Sequence, residues 1–318
     1  MKFITGLSKN LSLSIPLFLI LGLVASLSIS TEGLVVLIIP FTLLMIFPMM
    51  VGVKPQQLLQ PGNNAVQLWA VGINFLCIPF IAYGLGWVFF KDQPALALGL
   101  LLTALLPTSG MTISWTGFAK GNVPAAIKLT IVGLLLGSLL TPFYVKFLMG
   151  AEIPIQLGEV FKQIVFFIAV PFIAAQLTRK FLVGKYGQET FQKKLAPKFP
   201  PFSSLGVLGV VFVAMALKGA DLVESPALVL KLLLPLVILY TINYLISTLI
   251  ARKMLDRGHG IALVYGTVMR NLSIALALAM TAFGELGAEA AVLVALAYVI
   301  QVQSAAAYMK LSERIFPS

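Results

Sequence analysis

Two phrases far apart in the chain read almost alike: Gly72-Ile73-Asn74-Phe75-Leu76 and Thr241-Ile242-Asn243-Tyr244-Leu245. A second pair follows at nearly the same distance, Phe118 with Ala125-Ala126-Ile127 and Phe283 with Ala290-Ala291-Val292. The offsets are 169 and 165 residues, so the halves read as two copies of one unit. The copies belong in lipid: 59% of residues are hydrophobic and only 10% charged, more apolar surface than a soluble domain of 318 residues can hide. Two copies with an odd number of spans each must lie in opposite directions across the bilayer. Many secondary transporters are built this way, with the binding site where the copies meet.

Charge does not point to nucleic acid, although the net value is +11. The basic residues lie between apolar runs, where they set topology. Lys2 and Lys9 before an apolar run imitate a signal peptide, but the run is long and nine more follow it, so a first span is expected. The single cysteine, Cys77, excludes a disulfide framework and a thiolate metal cluster.

Runs of about 20 residues, enough to cross, fall at 11–30, 33–53, 64–90, 95–119, 122–148, 159–178, 203–219, 226–251, 260–283 and 287–309. The longest polar connection, 179–202, carries Arg179, Lys180, Lys185, Lys193, Lys194 and Lys198 and is expected in the cytoplasm. It divides the chain into 1–178, holding spans one to six, and 203–318, holding spans seven to ten, the repeats intertwining as one transmembrane domain. Both termini then lie inside, with 15 of the 22 basic residues on the inner side and 8 of the 11 acids at outer positions.

Two spans are expected to be broken. Span four reads Leu105-Leu106-Pro107-Thr108-Ser109-Gly110-Met111-Thr112. Pro107 removes a backbone donor and Gly110 lowers the cost of unwinding. A simple proline kink is the alternative. Span nine, its repeat partner, reads Tyr265-Gly266-Thr267-Val268-Met269-Arg270-Asn271-Leu272-Ser273 and places a charge in mid-span. Such a charge costs a few kcal/mol at the bilayer centre, so Arg270 is expected to face a cavity, a substrate or freed carbonyls.

These residues resemble the bile acid:sodium symporter family and its relatives, the arsenite permeases. Pro107 to Leu148, with Phe118-Ala119-Lys120-Gly121-Asn122-Val123 and Leu140-Thr141-Pro142, is similar to the fourth and fifth helices of the bacterial symporters. The family reads Pro-Gly-Gly-Thr-Ala-Ser-Asn there, and Met269-Arg270-Asn271 resembles its Met-Gln-Asn. Leu44 to Met50 and Ala275 to Leu311 look more like the arsenite permeases. The resemblance implies an all-α integral membrane fold of ten transmembrane helices in two inverted five-helix repeats. Broken helices four and nine would cross in a core domain beside a panel domain, with alternating access between them. Asn74 and Asn243 would then approach the crossing, or simply form interhelical hydrogen bonds.

Departures from the family pattern carry the most information. Carried over by position, Thr112, Thr130 and Asn74 still offer oxygen where the family binds sodium. The sodium-ligating asparagine becomes Ile113, a helix-five serine becomes Ala126, the shared glutamate becomes Gly266 and its neighbouring glutamine becomes Arg270. A cation about 4 Å from Na⁺ costs on the order of 4 kcal/mol at an effective dielectric of about 20. Arg270 and Lys128 are therefore expected to stand where sodium would sit, although Lys128 is close enough to the helix end to snorkel. The permeases' cysteine in helix four is absent near Ser109 and Gly110, and Cys77 reads as a packing residue.

The candidate substrate- or ion-binding residues are Asn74, Pro107, Thr108, Ser109, Gly110, Thr112, Ser114, Lys128, Thr130, Asn243, Thr267, Met269, Arg270, Asn271, Ser273 and Gln301, with Gln303 at a helix contact. No catalytic residue, metal ligand or cofactor is expected. The expected partners are a small-molecule substrate and the cell membrane's lipid, not nucleic acid, and a homo-oligomer is left open. The expected function is secondary active transport of a small organic or inorganic anion without sodium. Arsenite-type efflux and sodium-dependent bile acid-like symport are the alternatives. An intramembrane enzyme is disfavoured, because the one histidine, His259, lies in an expected loop.

Overall fold

The computed structural model describes residues 11–52, 64–150, 158, 162, 165–224 and 226–316. Among them the regular structure is helical, apart from one isolated bridge between Pro107 and Arg270. Six stretches are long and apolar enough to cross a membrane: Gly33–Val51, Asn64–Phe89, Val123–Met149, Gln188–Leu217, Leu230–Met254 and Gly284–Ile315. The chain is a multi-pass membrane protein. The expected inner charges Lys2, Lys9 and Lys54 and the outer acids Glu152 and Glu159 lie outside the described residues.

Helices follow the apolar runs. They are α1 (Leu11–Ser28), α2 (Ile38–Val51), α3 (Asn64–Phe89), α4 (Pro94–Leu105), α5 (Gly110–Phe118) and α6 (Val123–Met149). Then come α7 (Val170–Tyr186), α8 (Pro200–Glu224), α9 (Pro226–Met254), α10 (Arg257–Val268), α11 (Leu272–Ala282) and α12 (Gly284–Ile315). Thus run four is two helices, α4 and α5, and run nine is two helices, α10 and α11. On α1, Leu13, Leu17, Ile20, Val24 and Leu27 are exposed at helical spacing, the stripe a lipid-facing helix presents. By contrast, α4 from Ala95 and α11 as far as Met280 are buried all round, which is why both read as unbroken apolar runs.

Packing sorts the helices into two groups. In one, α8 runs along α1 and α2, and α7 packs on α2. In the other, α10 is enclosed by α3, α5, α6 and α9, while α4 meets α3, α6 and α12, and α11 packs on α12. The groups touch where α12 meets α8 and α1, and where α11 meets α2.

Two local features depart from the sequence reading. The basic connection 179–202 is largely helical: α7 runs through Arg179 and Lys180 to Tyr186, and short helical turns fill 188–198. Lys and Arg are good helix formers, so charge alone does not end a helix. Gly187 does, with φ at +79°. Within α3, a π-helical turn occupies Gly72–Cys77 around Asn74, and the Phe75 carbonyl accepts from the Tyr144 hydroxyl of α6. π turns are frequent at functional sites.

At the far end of α10 from the break, the two halves are clasped. The Asn122 N–H donates to the Gly258 carbonyl at 2.8 Å, and Asn122 Nδ2 meets His259 Nε2 at 3.0 Å. Asp256 caps the helix, accepting from the His259 N–H at 3.1 Å and lying 2.5 Å from His259 Nδ1. Partial burial pushes the Asp256 carboxyl up, but the His259 backbone and ring bonds outweigh it and hold the group below its ordinary value. A carboxyl depressed on folding stabilises above its unfolded pKa and loses that contribution as pH falls through the folded one. Asp256→Ala should therefore cost about 1 kcal/mol at neutral pH, the usual worth of a cap. In thermal unfolding of detergent-solubilised protein, its deficit should shrink below about pH 4.

Candidate functional site

Breaking a helix inside a membrane exposes backbone groups that lipid cannot satisfy. Here the two breaks, 106–109 and 269–271, satisfy each other. The Asn271 N–H donates to the Leu106 carbonyl at 2.7 Å, within the antiparallel bridge between Pro107 and Arg270. Arg270 Nη1 donates to the Ala104 carbonyl at 3.1 Å, one of the unpaired acceptors at the end of α4. Gln301 of α12 acts as a substitute strand: Oε1 accepts the Arg270 N–H at 2.7 Å and Nε2 donates to the Arg270 carbonyl at 3.2 Å. The Tyr240 hydroxyl, donating to the same Oε1 at 2.9 Å, fixes which way the amide faces.

The end of α10 is closed in the same manner. Asn74 Nδ2 donates to the Gly266 carbonyl at 3.1 Å and Asn243 Nδ2 to the Thr267 carbonyl at 2.9 Å. Ser247 ties Asn243 Oδ1 to the Thr267 hydroxyl. Met269 is fully buried, with extended dihedrals that end α10. In the first break Thr108 has φ at +65°, a costly conformation for a β-branched residue. Its hydroxyl donates to the Pro107 carbonyl at 2.6 Å and the Thr130 carbonyl of α6 at 3.1 Å. Gly133 makes room for it, since a Cβ there would lie 2.4 Å from Thr108 Oγ1.

Beyond the breaks two helices start afresh. Ser109 and Thr112 form a reciprocal capping box on α5, and Asn271 caps α11 by accepting from Ile274. Their N-termini border two cavities that share Met49, Ser109 and Gly110. The polar one, about 290 Å³, is also lined by Ser114, Ser203, Ser204, Arg270, Ser273, Tyr298 and Gln301. Ser273 and Tyr298 are paired at 2.6 Å, and among the described residues Arg270 is the one charged member of the lining. Its Nη2 is buried with no hydrogen-bond partner among the described residues. The other cavity, about 250 Å³, is mainly apolar, with Ile113, Ile127, Ile131 and Leu134, and takes Thr130 and Asn271 as polar edges.

Of the candidate residues, Ser109, Gly110, Ser114, Thr130, Arg270, Asn271, Ser273 and Gln301 line these cavities. Asn74, Pro107, Thr108, Thr112, Asn243, Thr267 and Met269 instead form the brace behind them. Lys128 is half-buried on α6 and lines neither cavity. Sequence reasoning missed Ser203 and Ser204, which α8 brings from the other helix group, as well as Met49 and Tyr298. The available signal was a serine pair directly after Pro200-Pro201-Phe202, inside an apolar run.

Two of the three oxygens carried over as sodium ligands make hydrogen bonds elsewhere. Thr112 accepts from the Ser109 N–H, and Thr130 donates to the Ala126 carbonyl at 2.8 Å. At Gly266 a Cβ would meet Leu129 Cδ1 at 2.6 Å, so a side chain at 266 requires the end of Leu129 to turn away. Asn74 Oδ1 alone among the three is buried without a partner.

Paired half-helices capped beside a buried polar cavity, in a multi-pass helical protein, define the class of membrane solute carriers. Residues 37–225 match the Sodium Bile acid symporter family, and the chain belongs to that family of membrane transporters. It is similar to the arsenical-resistance protein Acr3 of Corynebacterium glutamicum, 25% identical over 243 residues, 72% of this chain and 63% of that one. The Acr3 protein of Alkaliphilus metalliredigens is 24% identical over 208 residues, 61% and 58% of the two chains. The uncharacterized sodium-dependent transporter YocS of Bacillus subtilis is 26% identical over 221 residues, 68% and 64%. The matched stretches thus span less than two thirds of each of these three relatives.

Thr108 offers a test of the brace. Thr108→Val keeps the shape but removes the hydroxyl, and should destabilise by about 1–3 kcal/mol as buried acceptors lose their donor. Gly133→Ala should destabilise the natural protein more than it does a Thr108→Gly background. The coupling in this double-mutant cycle, read by thermal unfolding, should exceed about 0.5 kcal/mol.

Proposed function

We propose that this protein is a secondary active transporter of a small organic or inorganic anion, working by alternating access without coupling to sodium. One observation carries the reading: among the described residues, Arg270 Nη2 is buried without a partner beside a hydroxyl-lined cavity whose lining holds no acid. The N-termini of α5 and α11 border the same space, and their helix dipoles favour negative charge. The cavity volume lies at the low end for small-molecule sites, which favours a compact solute over a steroid.

In this reading the ten apolar runs are ten spans in two inverted repeats, with both termini on the cytoplasmic side. The group α1, α2, α7 and α8 is the panel, and the other helices are the core. The polar cavity takes Met49, Ser203 and Ser204 from the panel and its remaining polar groups from the core. A shift of one group against the other would open it to either side. Arg270 supplies, as a fixed charge, the positive potential that a bound cation would otherwise bring to the crossing.

Arsenite efflux is the second reading, favoured by the likeness to proteins named for arsenical resistance. Cys77 borders neither cavity at the breaks. Passage of arsenous acid would then rest on hydrogen bonds from the serine hydroxyls and not on a thiol.

Two experiments test these readings. Arsenite, bicarbonate, short carboxylates and bile salts can be compared by thermal shift in sodium and potassium buffers. A small anion should stabilise the protein equally in both, and Arg270→Gln should remove that stabilisation. Uptake of the same anion into proteoliposomes should persist when choline replaces sodium; a strict sodium requirement would refute the reading. Separately, Cys77→Ser should leave any arsenite resistance conferred on a sensitive host unchanged, whereas its loss would restore a thiol route.

A further inference from the structure

A third cavity lies along α7 and shares no lining residue with the two at the breaks. It measures about 680 Å³ and is lined by Phe172, Ile173, Leu177 and Val183 on its apolar side. Gln176, Arg179, Lys180 and Gln188 make its polar side. The occupant follows from three features: depth, charge and continuity with the lipid-facing surface.

Depth comes from the order of residues along α7. Phe166, Val170, Ile173 and Leu177 are exposed at helical spacing, the stripe of a helix that faces acyl chains. Arg179 is the first charged residue after that stripe, about 14 Å along the axis from Val170 at the start of α7. Charge that begins where an exposed apolar stripe ends is the pattern of a helix reaching the level of lipid phosphates. Exposed Phe181 and Tyr186 flank the polar side of the groove, with Lys185 Nζ 6.0 and 5.4 Å from their ring centroids, the arrangement of a membrane–water interface.

Charge makes the groove selective. Among the described residues two cations and no acid line it, and the neighbouring Glu189 is paired with Lys193 at 2.7 Å. The site is also held in place. The Arg179 guanidinium lies 5.9 Å from the ring centroid of buried Phe191, and Gln176 Nε2 donates to the Met50 carbonyl at 3.2 Å. A ligand filling this groove needs a phosphate at the Arg179–Lys180 end and hydrocarbon running beside Ile173 and Leu177.

We infer that this groove binds an anionic phospholipid, its phosphate between Arg179 and Lys180 and an acyl chain along the exposed stripe of α7. Basic pockets at the inner membrane edge recognise such headgroups. The site is independent of the substrate cavity, so it stands whichever anion the protein carries.

The test uses the full chain in neutral detergent, with phosphatidylglycerol and phosphatidylcholine of identical acyl chains titrated by native mass spectrometry and thermal shift. Phosphatidylglycerol should bind and raise Tm, while phosphatidylcholine should do neither. Arg179→Gln and Lys180→Gln should each weaken phosphatidylglycerol binding about fivefold, the usual worth of one cation at an anionic surface. Lys193→Gln with Lys194→Gln should leave it unchanged. Arg179→Gln also loses its stacking on Phe191, so the exposed Lys180 decides if that variant fails to fold. Equal binding of both lipids, or a Lys180→Gln protein that binds like the natural one, would overturn the proposal. So would an equal Tm shift with soluble glycerol 3-phosphate, which would mean a phosphate site without lipid.

Discussion

The structure depends on one constraint: a backbone group freed inside a membrane must find a partner in the protein. Two helix breaks free many such groups, and the two breaks lie against each other so that each supplies what the other lacks. Asn271 closes onto Leu106, Arg270 reaches the end of α4, and Gln301 stands in for a missing strand. The amides of Asn74 and Asn243 finish the end of α10. Removing the Arg270, Gln301, Asn74 or Asn243 side chain leaves a buried acceptor or donor without compensation, which is costlier than the bond itself is worth.

The same arrangement creates the site. Ending α4 and α10 requires starting α5 and α11, and each start presents a capped N-terminus to one side of the crossing. Arg270 enters this region to serve α4, yet a guanidinium has five donors in a fixed fork and not all of them can be used there. The spare Nη2, without a partner among the described residues, is the group to which the proposed function assigns recognition of negative charge. Brace and proposed site thus share one residue, and the Leu129 side chain packs against Gly266, where the resemblance would place a carboxylate.

Much of this was legible in the sequence, though unevenly. The helix positions followed from apolar runs, because in lipid a long apolar stretch has few options other than a helix. Both breaks were legible too, the first from Pro107 and Gly110, the second from a charge that could not face acyl chains. The π turn around Asn74 was not, since π geometry leaves no regular composition signal in Gly-Ile-Asn-Phe-Leu-Cys. Nor was the helical course of 179–198, where a run of basic residues suggested a loop.

What the amino-acid order determined alone is the lipid setting, the helical segments, the two interruptions and the presence of one buried charge. Which groups that charge and the polar side chains would meet was decided by tertiary packing. Thr112 and Thr130 offered oxygens at plausible places, yet one is spent on a helix cap and the other on its own helix. Ser203 and Ser204 lie about 70 residues from Arg270 in sequence but share its cavity, because α8 is carried there by its packing on α2. Periodicity records which face of a helix is apolar. It does not record which distant helix will cover that face, because that choice rests on shape and on backbone groups freed elsewhere in the chain.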